Sequence, residues 1–179
     1  MTGYQLAAYT FGQFLDRADS PRIKGFFDLE PSVVAQLEAS PGFIARSGYV
    51  GEEGPDSWGI QVFPRFWVDN GDGWAPSTLS LWTDLDHLAA ATYHGLHGDA
   101  YKRGREWNIP PEDWPGYVLW WAPDGHRPNW REAVERHEHL ADHGPTSHAF
   151  NFKQPFAPDG KATRLDIKRI KSIAKAVSD

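Results

Sequence analysis

Residues 92–107 concentrate side chains that can do chemistry, and the run reads TYHGLHGDAYKRGREW. A spacing of four residues is shared by Tyr93, His97, Tyr101 and Arg105. A continuous helix would place all four on one stripe. A histidine titrates near neutral pH and can accept or donate a proton. We therefore predict His97 as the catalytic acid or base. Tyr93 would orient it or a substrate hydroxyl, and Arg105 would hold a carboxylate or an enolate.

A second interpretation of the same run is a polar helix end. Its histidine and arginine would then bond only to neighbouring carbonyls and carboxylates. Gly95, Gly98 and Gly104 weaken a continuous helix, since each glycine costs up to about 1 kcal/mol in a helix interior. The stripe depends on a helix that runs through these glycines.

The aromatic residues predict the wall of a pocket. Trp120 and Trp121 are adjacent in an apolar run, so in a strand their side chains point to opposite faces of the sheet. Either one can instead be ordinary core. The predicted substrate-binding residues are Trp121, Trp82, His94, Tyr101, His126 and Phe66.

The chain has no cysteine, so a metal site would need histidine and carboxylate ligands. His94 and His97 are three residues apart but lack a nearby carboxylate motif. A later helix carries more polar groups, which are predicted to form a solvated surface: Glu135, His137, Glu138, His139 and His143. We therefore predict no metal site and no cofactor. A haem held by His97 is an alternative.

The predicted elements alternate between strands and helices. Strands are expected at residues 4–11, 43–50, 78–82 and 116–122, and Pro64 limits residues 60–67 to an edge strand or a loop. Helices are expected at 20–40, kinked or in two pieces at Pro31, from residue 83 into the run 92–107, and from Asn129 to the glycine at 144. The order β-α-β, β-α-β is that of a ferredoxin-like split βαβ domain.

Charge is distributed unevenly along the chain. Residues 161–179 carry six basic and two acidic groups, so with a net charge of −6 the preceding chain is near −10. An acidic body does not suit nucleic acid, and no nucleotide-binding or nucleophile-elbow motif is present. We predict one domain at 1–158, and at 159–179 a basic amphipathic helical extension packed on its acidic surface or on a partner subunit. No signal peptide or long apolar run is visible, so we expect a cytoplasmic protein without membrane contact.

Several short motifs recur in an order that resembles a known family. They are Ser20-Pro21, the Ser-Pro-Gly-Phe at 40–43, Ser80-Leu-Trp82, Tyr93 with His97, the Arg-Glu-Trp at 105–107, the Leu-Trp-Trp at 119–121, the Gly-His-Arg-Pro at 125–128, and the His-Gly-Pro at 143–145 with Phe150. The chain resembles, over roughly residues 4–155, an uncharacterised bacterial family of the dimeric α+β barrel superfamily, alongside antibiotic-biosynthesis monooxygenases.

The resemblance implies an α+β, ferredoxin-like monomer. Its antiparallel sheet would have helices on one face and would pair with a second copy into a dimeric α+β barrel, with extra helices at the C-terminus. Combined with the residues above, it predicts a small-molecule enzyme of secondary metabolism. A cofactor-independent monooxygenase or a cyclase/isomerase would act on a small hydrophobic, aromatic or polyketide-like substrate. The alternatives are a non-catalytic ligand-binding or dimeric interaction protein and a haem-binding enzyme.

Overall fold

The strands form a single antiparallel sheet. The computed structural model describes residues 3–178, so residues 1, 2 and 179, at the outer ends of the two predicted units, lie outside the described residues. The strands are β1 (Tyr4–Phe11), β2 (Phe43–Arg46), β3 (Ser77–Trp82) and β4 (Tyr117–Pro123). Their order across the sheet is β2-β3-β1-β4, and every neighbouring pair is antiparallel. This α+β arrangement is consistent with the predicted ferredoxin-like fold.

Helices connect the strands and follow the last one. They are α1 (Lys24–Ala39), α2 (Leu85–Tyr93), α3 (Gly95–Arg103), α4 (Trp130–His143) and α5 (Ile167–Ser178). α1 is one helix that contains Pro31, so the predicted division into two pieces does not occur. The predicted cap of α4 is confirmed, because Oδ1 of Asn129 accepts the backbone N–H of Glu132 at 2.9 Å.

One face of the sheet packs against α2, and we call it the α2 face. Leu6 and Ala8 of β1 lie there with Leu119 of β4, against Leu85 and Leu88 of the helix. Trp82 and Trp121 belong to the same layer. At the back of α2, Ile170 and Ala174 of α5 pack against Ala89 and Ala90, two of the buried alanines of that helix.

The opposite face, which we call the α4 face, is covered as well. Tyr9 and Trp120 of the sheet pack there against Trp130 of α4, and all three side chains are fully buried. Trp58, from the long segment between β2 and β3, completes the layer. The prediction of helices on one face is therefore wrong. The side chains of β1 are buried on both faces of the sheet, so other elements must pack on both faces.

The second predicted strand is shorter than expected. β2 ends at Arg46, because the backbone then turns away: Gly48 forms an isolated parallel bridge with Ser57. Residues 60–67 form no strand, in agreement with the restriction that Pro64 imposes. None of the helices within residues 3–178 has both the length and the apolar character needed to cross a membrane.

Candidate active site

The predicted stripe on residues 92–107 is broken. α2 ends at Tyr93, His94 is extended with φ −125° and ψ 167°, and α3 begins at Gly95 with φ +61°. Arg105 falls in a separate 3-10 turn (Gly104–Glu106), where it is exposed. The prediction that one continuous helix aligns these side chains is wrong. A positive φ at Gly95 is a conformation that glycine adopts without steric cost, and it ends the first helix.

His97 nevertheless has the geometry of a general base. Nδ1 lies 2.7 Å from the carbonyl oxygen of Thr92. A carbonyl only accepts, so Nδ1 carries the proton and Nε2 keeps its lone pair. Burial lowers the pKa of His97, and the bond to Thr92 opposes this effect only in part. The imidazole is therefore neutral near pH 7 and able to take up a proton at Nε2.

The start of α3 is held by a side chain from α1. Oε1 of Gln36 accepts the backbone N–H of Leu96 at 2.6 Å and that of His97 at 3.4 Å. These are donors that a helix N-terminus leaves without intrahelical partners. Gln36 thus positions the turn that carries His97, in the role that a capping residue has at other helices.

Tyrosines from three elements meet beside this junction. Tyr93 and Tyr101 make an edge-to-face contact with ring centroids 5.9 Å apart. Phe152 lies 5.7 Å from Tyr93 and 5.5 Å from Tyr117, measured between centroids. Tyr93 and Tyr101 therefore contact each other although the helix is broken between them. Tyr117 and Phe152 were missed, because no local pattern relates residues so distant in sequence.

The hydroxyls of Tyr93 and Tyr117 stay protonated at neutral pH. Burial raises the pKa of Tyr93, and the Tyr117 hydroxyl opposes that effect only in part. Burial also raises the pKa of Tyr117, whose hydroxyl oxygen accepts the backbone N–H of Phe152 at 3.1 Å. Tyr93 is 40% exposed and Tyr101 61%, so the cluster is open to solvent on one side. It offers neutral O–H donors and aromatic surface to a ligand.

The six predicted substrate-binding residues do not form one pocket. Trp82 and Trp121 pack on the α2 face, with their indole N–H groups bonded to Ser80 and to the carbonyl of Phe156. Phe66 lies on the α4 face, on the other side of the sheet. His126 is in the turn after β4, 2.8 Å from Glu132. Only Tyr101 and His94 remain at the junction of α2 and α3.

His137 is the clearest error among the predicted surface residues, because it is completely buried. Its Nε2–H donates to the carbonyl of Pro115, while Nδ1 has no partner within the described residues. The rings of Tyr9, Phe11 and Phe66 surround it, with centroids 5.7, 5.7 and 5.9 Å away. A signal was present in the sequence, since residue 137 shares the helical spacing of the other buried residues of α4: Trp130, Ala133 and Leu140.

A group able to bind a metal lies on the exposed side of α4. Glu135, His139 and His148 each place one ligand atom within 4.8 Å of those of the other two. The sequence analysis assigned Glu135 and His139 to a solvated surface and predicted no metal. Glu135, His139 and His143 recur at intervals of four residues, and this spacing indicated that they share one face of the helix. It could not predict His148, which lies in the turn after the helix.

Comparison with known proteins identifies the family of this chain. A family model described as Domain of unknown function (DUF3291) matches residues 5–166, and the chain belongs to that family. No curated protein and no solved structure matches the chain.

Proposed function

We propose that the protein is an enzyme that removes a proton from a small aromatic or polyketide-like substrate, with His97 as the general base. The observation that carries the proposal is the hydrogen bond from Nδ1 of His97 to Thr92, which leaves Nε2 unprotonated. Burial keeps this ring neutral by lowering its pKa.

Tyr93, Tyr101 and Arg105 are assigned complementary roles. Nε2 takes a proton from a carbon next to a substrate carbonyl, and the electron pair of the broken C–H bond forms an enolate. Tyr93 and Tyr101 supply an aromatic surface, and the protonated hydroxyl of Tyr93 can donate to the enolate oxygen. Arg105 has no hydrogen bond or ion pair among residues 3–178, so its guanidinium is free to meet a substrate anion.

Three reactions are consistent with this first step. The enolate can react with dioxygen, as in a cofactor-independent monooxygenase, or it can rearrange or cyclise within the substrate. All three begin with the same proton transfer and need no bound cofactor for it. We favour this group of reactions, which the resemblance to antibiotic-biosynthesis monooxygenases also suggested, and we place the enzyme in secondary metabolism.

Replacing the base tests the proposal. Turnover of an aromatic polyketide panel would be followed by product mass and by oxygen consumption. We expect His97→Gln to lower kcat by roughly 100-fold or more, the usual contribution of a general base. As the pH is lowered, the kcat of the wild type should fall only below the ordinary histidine pKa of about 6.5, because the pKa of His97 is lowered. Full turnover by folded His97→Gln would refute the assignment.

Lys102→Gln is the matched control for this experiment. Lys102 is exposed on the same helix, and within residues 3–178 it pairs only with Asp99, three residues earlier. Its removal should leave kcat unchanged. Equal losses in the two variants would point to damage of α3 rather than to lost acid–base chemistry.

A non-catalytic binding protein is the second candidate. Its supporting observation is the exposed apolar surface made by Tyr93, Leu96 and Tyr101, which are 40%, 47% and 61% exposed. Binding of the panel without any turnover in the wild-type protein would favour it. A haem ligated by His97 remains a further alternative, and haem addition with absorbance spectroscopy tests it directly.

The homodimer implied by the resemblance stays a proposal. A barrel built by sheet-to-sheet pairing would need an open face, whereas α4 and the segment between β2 and β3 cover the α4 face. Such pairing would require both to move away. Sedimentation distinguishes the 20.2 kDa chain from its pair.

A further inference from the structure

Three polar residues follow one stripe of α4 on the side away from the sheet. Glu135, His139 and His143 are separated by four residues, so they lie one turn apart on the same face. The rings of His139 and His143 are 4.4 Å apart between centroids. The buried stripe of α4 faces the sheet, so these side chains have no part in the core.

A turn beyond the helix brings a third imidazole to the stripe. Thr146 and Ala149 exchange backbone hydrogen bonds of 2.9 and 3.2 Å, and His148 sits at the tip between them. The turn is anchored to the sheet, because Phe150 exchanges backbone bonds of 2.9 and 2.8 Å with Leu119 of β4. His148 is therefore presented to α4 by a fixed piece of backbone.

The ligand atoms are already close to the spacing that a metal requires. Nε2 of His148 lies 3.0 and 3.3 Å from the two carboxylate oxygens of Glu135. The rings of His139 and His148 have centroids 4.6 Å apart. Ligand atoms around a tetrahedral zinc ion are about 3.3 Å apart, given bond lengths of about 2.0–2.1 Å. Small side-chain rotations bring the third atom to that distance.

We propose that Glu135, His139 and His148 bind a divalent transition-metal ion of the Zn²⁺ class. Two imidazoles and one carboxylate form a donor set used by catalytic zinc and by non-haem iron(II). The ring of His143 lies beside that of His139, at the edge of the site. This site is independent of the function proposed for His97.

A neutral imidazole is the form that binds metal. Desolvation lowers the pKa of His139, and His148 and His143 add to that effect. Thr146 Oγ1 lies 3.2 Å from Nε2 of His139 and orients the ring.

Arg136 imposes one rearrangement on binding. Its Nη1 donates to Nδ1 of His148 at 2.8 Å, so Nδ1 is unprotonated and Nε2 carries the proton donated to Glu135. Ligation through Nε2 requires that the proton move to Nδ1. Arg136 then gives up that bond and keeps the one to the carbonyl oxygen of His148, at 2.7 Å.

The site has an open side. Glu135, His139 and His143 border a shallow surface depression of about 390 Å³, which Arg131 and Asp142 also line. Three protein ligands beside an open depression leave a coordination position for water or for a ligand atom.

Titration of untagged, chelator-treated protein with Zn²⁺ tests the proposal. We expect calorimetry to show one site with low-micromolar affinity, weakened on the order of 100-fold or more in His139→Ala and in His148→Ala. Residues that only hydrogen-bond to a metal ligand already change metal affinity by about 10–100-fold, so loss of a ligand itself should cost at least as much. Glu135→Gln, which keeps the side-chain shape, should weaken it as well. Bound Co²⁺ should give the intense visible bands of a four-coordinate ion.

His126→Ala is the matched control. His126 and Glu132 form an exposed histidine–carboxylate pair 2.8 Å apart, with no third ligand group beside them among the described residues. This variant should bind Zn²⁺ as the wild type does. Absence of a low-micromolar site, or binding that persists in folded His148→Ala, would overturn the proposal.

Discussion

At the scale of single residues, the half-buried His97 and the fully buried His137 have opposite settings. His97 keeps a free Nε2 at a solvent-open junction, whereas His137 is sealed among aromatic rings with Nδ1 unpartnered within the described chain. Burial lowers the pKa of both. The first is suited to exchange a proton with a ligand. The second is a source of acid sensitivity in the fold.

The buried ring of His137 predicts how stability depends on pH. Its folded pKa lies below the unfolded value of about 6.5, so the unfolded chain binds more protons between the two values. The free energy of unfolding should thus be highest above about pH 6.5 and fall as the pH drops toward the folded pKa. Urea unfolding at about pH 7.5 and 5.5 measures the difference.

Variants assign this pH dependence to its source. His137→Gln should lower stability by about 1–3 kcal/mol through lost packing, and it should also flatten the pH dependence. Adding His97→Gln should flatten it further, because that pKa is lowered too. An unchanged slope in His137→Gln would show that other groups cause the acid sensitivity.

At the scale of elements, the break between α2 and α3 determines where His97 lies. Gly95 adopts φ +61°, and a Cβ there would approach Oε1 of Gln36 to 2.6 Å. Gln36 is the residue that holds the first turn of α3. The break and the cap thus belong to one local arrangement, in which only glycine fits.

Gly95→Ala should disturb this arrangement. We expect a loss of about 1–2 kcal/mol from the left-handed backbone, together with a fall in kcat as His97 shifts. Gly104→Ala is the control, because Gly104 has helical dihedrals of −51° and −30° and no atom within 4 Å of an added Cβ. Denaturant midpoints compare the two variants. A Gly95→Ala protein as stable as Gly104→Ala would contradict the strain argument.

At the scale of the whole molecule, one arginine attaches the C-terminal helix to the body. Arg169 of α5 donates to Asp84 at 2.7 Å and to Asp86 at 2.9 Å. Asp84 caps α2 through the N–H groups of Asp86 and His87. The other oxygen of Asp86 accepts the N–H of Asp166, just before α5 begins. The predicted match between a basic extension and an acidic body therefore has a specific location.

Arg169→Met should loosen this attachment. Asp86 is only 9% exposed and would lose its charged partner, so we expect a loss of about 1–3 kcal/mol, less than for a fully buried pair because Arg169 is partly solvated. Amide exchange in α5 should accelerate before exchange in the sheet does. Lys171→Met serves as control, since Lys171 is exposed on the same helix without an ion pair in the described chain. Similar exchange in both variants would refute the attachment.

The sequence by itself determined the features that depend on neighbouring residues. The order of strands and helices follows from hydrophobic periodicity, the start of α4 from Asn129, and the opposed directions of Trp120 and Trp121 from the alternation along a strand. These properties involve interactions within a few residues, so they are visible in a linear chain.

Only the tertiary structure decided how the site residues are grouped. The sheet separates Phe66 from Trp82, Tyr117 comes to Tyr93, and His148 comes to Glu135. Each of these relations joins segments that are distant in sequence. They depend on which sheet face each element covers, and periodicity indicates that a face is buried without indicating what covers it. For that reason His137 was assigned to the surface although its helical spacing was that of the core.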